Sequence, residues 1–112
     1  MSDETTYKVM FHEGDEIGLA TRGETGRLWH DDEAIFVEGT KAFEISCELL
    51  REVELFRMHK IGSVIRVTHA NGTLFVTVVR FSLFGLFALI NRHATRQLAE
   101  ELRRRISSRP FG

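Results

Sequence analysis

At 112 residues the chain has room for one hydrophobic core and not for two. Fifteen basic residues against sixteen acidic leave a formal charge of −1, so no global field points to nucleic acid. The lone Cys47 excludes an internal disulfide framework and fits a reducing compartment, with a cytoplasmic location expected.

The first ten residues, MSDETTYKVM, are acidic and lack the apolar centre of a signal peptide. Residues 1–14 are expected to be a tail, although Tyr7, Val9 and Phe11 alternate with Lys8 and Met10 and allow a stray strand. The domain proper is expected over 15–108. Ile17–Thr21 reads as a short strand, and Arg22–Gly26 as a loop turning on two glycines. Arg27–His30, Ala34–Glu38 and Ala42–Ile45 read as three more strands, separated by turns at Asp31-Asp32-Glu33 and Gly39-Thr40-Lys41. Such close spacing of short strands is the mark of a meander that curls into a barrel or sandwich. Ser46–Leu50 fits a short helical turn, and Arg51–Met58 a strand that turns at His59–Gly62.

Ser63 to Phe81 carries the strongest local signal, two β-rich runs flanking Asn71-Gly72. That pair favours the φ > 0 conformations of a two-residue hairpin turn. Folding there sets Ala70 against Thr73, His69 against Leu74 and Val67 against Val76. Ile65, Val67, Leu74, Val76 and Val78 then share one face, the expected core face. Val64, Phe75, Val79 and Phe81 share the other, with Arg66 and Thr77.

The run Phe81–Ile90 is apolar, but it is about half the roughly 20 residues that a membrane-spanning helix needs. Ile90, Ala94, Leu98, Leu102 and Ile106 then recur every fourth residue, with Phe87 one turn earlier, which predicts an amphipathic helix. Glu100–Arg104 and Glu101–Arg105 are acid-before-base pairs at i,i+4. Ser107-Ser108-Arg109-Pro110 ends it.

About seven short strands in two groups followed by one helix is the order of the pleckstrin-homology-like (PH-like) superfold. GRLWHDDEAIFVEG, FEISCELLREVEL and VIRVTHANGTLFV resemble its bacterial branch, close to the GRAM-like members. Gly26, Leu28, Ile35, Phe36, Phe43, Ile45, Leu49 and Val53 carry the likeness, over roughly Ile17 to Ile106. Ser46 stands where the family has proline, and the first loop offers only Arg22 and Arg27 with Glu24 between them. The resemblance implies a mainly β fold: a PH-like barrel of two near-orthogonal antiparallel sheets capped by the C-terminal α-helix.

No constellation of residues makes a case for an enzyme, so no catalytic residue, metal ligand or cofactor is assigned. His30-Asp31-Asp32-Glu33 has the composition of a turn, and its neighbours on a strand point to opposite faces. Cys47 lacks an activating context and reads as a small buried side chain. His12, His30, His59, His69 and His93 lie too far apart for a local zinc pattern. Two surfaces remain. Val64, Phe75, Val79 and Phe81, facing away from the core, would form an apolar patch for a protein or peptide partner or a second copy of the chain, aided by free sheet edges. Arg92, Arg96 and Arg103 fall on one outward arc of the helix, where they could hold anionic membrane lipid. A non-enzymatic binding module is therefore expected, with peripheral membrane binding as the alternative.

Overall fold

A computed structural model describes residues 6–14, 23–58, 62–81 and 88–107. The chain order is β1 (Tyr7–Glu13), β2 (Glu24–His30), β3 (Ala34–Glu38), β4 (Ala42–Ser46), a 3₁₀ turn (Cys47–Leu49), β5 (Leu50–Met58), β6 (Gly62–His69), β7 (Gly72–Phe81), β8 (Ala88–Ile90) and α1 (Arg92–Ser107). All strand pairs are antiparallel, and the sheet runs β4-β3-β2-β1-β7-β6-β5, with the short β8 paired on β7.

Residues 7–13, expected as part of a tail, are the keystone of that order. Tyr7, Val9 and Phe11 are buried while Lys8 is exposed, so the alternation in the sequence is that of a strand with one wet face. β1 pairs with β2 on one side (Val9 against Gly26) and with β7 on the other (Val9 against Val78). The expected two near-orthogonal sheets are accordingly replaced by one curled sheet, because β1 joins the two strand groups edge to edge. Curling is forced by connectivity. β4 and β5 are the two ends of the strand order, yet only Cys47–Leu49 separates them. That link reaches no more than about 15 Å, whereas seven strands laid flat would hold their edges about 29 Å apart. The sheet rolls into a half-barrel.

The central hairpin forms, with its turn displaced by one residue. His69 pairs with Gly72 and Val67 with Leu74, so Ala70-Asn71 occupies the bend. Ala70 N–H donates to the Leu49 carbonyl at 2.9 Å, which takes Ala70 out of the ladder expected to include it. Gly72 carries the positive φ, at 147°. Pairing slips by two residues, an even number, so the faces survive: Ile65, Val67, Leu74, Val76 and Val78 all lie in the main core.

α1 starts later than its apolar period predicts, since Ile90 belongs to β8. Asn91 caps it, its Oδ1 accepting from Ala94 N–H at 3.0 Å. Buried Thr95 accepts from Val78 N–H at 3.0 Å and donates to the Asn91 carbonyl at 2.8 Å, tying the first turn to β7. Leu98, Ala99 and Leu102 are fully buried against the sheet; each leucine contributes roughly 1.5–3 kcal/mol. Cys47 is buried, as expected. Ile17–Thr21, His59–Ile61 and Phe87 lie outside the described residues. Among the described residues, no helix is long and apolar enough to cross a membrane.

Candidate interaction surface

The hairpin face expected to be an exposed patch is buried. Val64, Phe75 and Val79 have relative exposures of 0%, 2% and 3%. Val64 and Phe75 form a second small core with Met10, Phe56 and Met58, and the Phe56 and Phe75 rings meet edge to face at 6.5 Å. Bulky side chains on neighbouring strands cover one another there, with Arg66 stacked over Phe56 and paired with Glu54. The side chain of Phe81 lies outside the described residues. Of the expected cationic arc, Arg92, Arg96 and Arg103 are all exposed. Arg103 also turns its Nε to the Val53 carbonyl, at 3.1 Å.

That last bond bears on the sheet edges. β5 is an edge strand, and the guanidinium of Arg103 occupies one of its main-chain acceptors from the helix side. β4, the opposite edge, is treated differently. Cys47 N–H donates to the Glu33 carbonyl and Gly39 N–H to the Lys41 carbonyl, which fixes the alternation of the β3–β4 ladder. Lys41, Phe43, Ile45 and Cys47 turn their main-chain groups to β3, and those of Ala42, Glu44 and Ser46 point outward. Ala42 and Glu44 are exposed. Among the described residues, no strand pairs with that side of β4.

Beside this edge the convex side of the sheet carries an aromatic pair that the sequence did not single out. Trp29 on β2 and Phe36 on β3 are directly opposite and stack with centroids 5.6 Å apart and an interplanar angle of 14°. Both are partly exposed. Phe36 in turn is opposite Glu44, and Arg27 pairs with Glu38 in the next row at 2.8 Å. Alternation alone could have placed Trp29 on the outer face, since its neighbour Leu28 is wholly buried.

A polar cluster locks the helix to the other end of the sheet. Glu101 accepts from the Tyr7 hydroxyl at 3.0 Å, from His30 Nε2 at 2.8 Å and from Gln97 at 3.2 Å. Arg105 donates from Nε to His30 Nδ1 at 2.9 Å and from Nη1 to Asp32 Oδ1 at 2.6 Å. Burial pushes the Tyr7 hydroxyl well above the ordinary tyrosine range, and the Glu101 carboxylate adds to that push. For Glu101, burial acts upward, but the hydrogen bonds from His30, Gln97 and Tyr7 outweigh it and hold the carboxyl below its usual value. Asp31 closes its turn by accepting from the N–H groups of Ala34 and Glu33, and its carboxyl is lowered by them. Every member of the cluster is engaged with another member, and among the described residues no group of three or more His, Cys, Asp or Glu is placed to hold a metal ion. The cluster fastens the helix to the sheet.

No protein-family model and no curated protein matches the sequence. Among solved structures, the C-terminal domain of an unknown protein from Leishmania infantum is similar over 92% of this chain and 84% of that one, with a TM-score of 0.62 and 14% identity. The shared feature is the fold: a small β half-barrel closed by a C-terminal helix.

Proposed function

We propose that the chain is a non-enzymatic interaction module of PH-like architecture that takes an extended segment of a partner protein as an extra strand on β4. The observation that carries this reading is the contrast between the edges. Arg103 occupies a main-chain acceptor on β5, while Ala42, Glu44 and Ser46 offer their N–H and C=O groups outward, with Ala42 and Glu44 exposed. An incoming strand would gain a row of main-chain hydrogen bonds there, and its side chains on one face would lie beside Glu44, with Phe36 one strand and Trp29 two strands further in. Trp29 is the only tryptophan, and its stacking on Phe36, the neighbour of Glu44, lets its fluorescence report on this face of the sheet. Peptides selected from a random display library should perturb that emission on binding, and Ser46→Pro, which removes one outward N–H of β4 at a φ of −61° that proline accepts, should weaken them about fivefold or more. Selected peptides that bind Ser46→Pro equally well, and leave the β4 amide resonances unmoved, would overturn the proposal.

A second reading, peripheral binding to anionic membranes, is favoured by the exposed Arg92 and Arg96 on the outward face of α1. It requires sedimentation with anionic vesicles that falls with salt and is lost in Arg92→Glu/Arg96→Glu. Indifference to both would remove it.

A further inference from the structure

We infer that the segment received by β4 alternates basic with apolar side chains. This rests on the reading of β4 as a receptive edge and adds the chemistry of what the edge receives. Side chains of an added strand alternate between faces, in step with those of β4. On the inner face they would meet Phe43, Ile45 and the neighbouring Leu49, which belong to the main apolar core and of which Phe43 and Leu49 are only half-buried. That side asks for apolar residues.

The outer face asks for cations. Glu44 is exposed, and its cross-strand neighbour on β3 is Phe36, which carries no charge. The diagonal neighbour Glu38 is also acidic and is already tied to Arg27. Glu48, just past the strand, is exposed as well. A lysine or arginine opposite Glu44 would therefore face a carboxylate with no cation directly opposite it in the sheet. The molecule already contains such a cross-strand acid–cation pair at its opposite edge. On the β5–β6 pair, Arg66 sits opposite Glu54, bonds to it and lies over the Phe56 ring at 5.9 Å.

A second copy of β4 fits less well. Antiparallel pairing of the strand with itself about its centre would set Glu44 against Glu44, a like-charge contact. A foreign strand with cations at alternate positions avoids it.

The test uses the full chain and three soluble, tryptophan-free peptides sharing the same alternating apolar residues. Their intervening positions carry Lys or Arg in one, Glu in the second and Ser in the third. Trp29 emission and the amide resonances of Ala42, Glu44 and Ser46 report binding at the edge. The basic peptide should bind about five- to tenfold tighter than the Ser peptide, and the Glu peptide more weakly still. Added salt should narrow the gap. Glu44→Lys, a change at an exposed position, should reverse the order of the two charged peptides. Equal binding of all three at β4, or an order unchanged by Glu44→Lys, would overturn the charge inference while leaving the receptive edge intact. Failure of every peptide to move the β4 amides would overturn the receptive edge itself.

Discussion

Arg105 donates from Nε to Nδ1 of His30 at 2.9 Å, and that single bond decides which imidazole nitrogen carries the proton. A guanidinium can only donate, so Nδ1 presents its lone pair and Nε2–H donates to Glu101. The imidazole is held between a cation and a carboxylate in one tautomer, and through it α1 is fastened to β2.

Glu101 is therefore expected to be worth more than a surface carboxylate. Glu101→Ala leaves the Tyr7 hydroxyl and His30 Nε2 without their acceptor, a loss of about 2 kcal/mol and roughly 10 °C in Tm. Glu100→Ala, at an exposed position next door, should stay within about 0.5 kcal/mol. Thermal melts of the two variants side by side check this.

Tyr7 gives the alkaline counterpart. Its folded pKa is raised, so the stability it carries is complete below the ordinary tyrosine value of about 10 and is lost as the pH climbs beyond it. Because Tyr7 is the only tyrosine, phenolate absorbance reads it without deconvolution. The folded protein should ionise at a higher pH than its denatured form, and Glu101→Gln should bring the two closer.

His69 behaves in the opposite sense. It lies on the core side of the hairpin with Nδ1 accepting from Asn71 N–H, while the buried Nε2 has no hydrogen-bond partner. Burial lowers its pKa, with Glu13 opposing weakly. A lowered folded value means that stability is full above the usual imidazole value of about 6.5 and falls as the pH drops from there through the folded value. His69→Leu should remove that part of the pH dependence and raise stability at neutral pH by about 1 kcal/mol. Chemical denaturation at several pH values measures both effects.

Gly26 is where three strands approach too closely for a side chain. A Cβ there would run into the Glu38 carbonyl, and the Phe11 ring lies over the same spot. Gly26→Ala should cost about 1–3 kcal/mol through displacement of β3 from β2. Urea unfolding would register it as a lower midpoint.

Much of this architecture was legible because its cues are local. Ala34–Glu38 forms the strand expected between its two turns, and the hairpin faces survive a displaced turn because the slip is even. The alternation of Tyr7, Val9 and Phe11 allowed a strand, but the central place of β1 was not legible because its partners β2 and β7 lie far along the chain. The polar cluster was missed for a different reason. Glu101 and Arg105 satisfy the i,i+4 rule for a surface pair, yet at 100° per residue Arg105 falls only about 20° from Leu98, on the buried stripe. Partner choice across the sheet outweighed the local pair. The edge difference between β4 and β5 is written in a register, and registers follow from three-dimensional pairing alone.

Hydrogen exchange at the amides of Ala42, Glu44 and Ser46, with and without a saturating edge-binding peptide, tests the receptive-edge account most directly. Those amides should exchange fast in the free protein and become protected by at least tenfold when the peptide is bound, with β5 unchanged. Unaltered exchange at all three under saturation, or protection confined to β5, would contradict it.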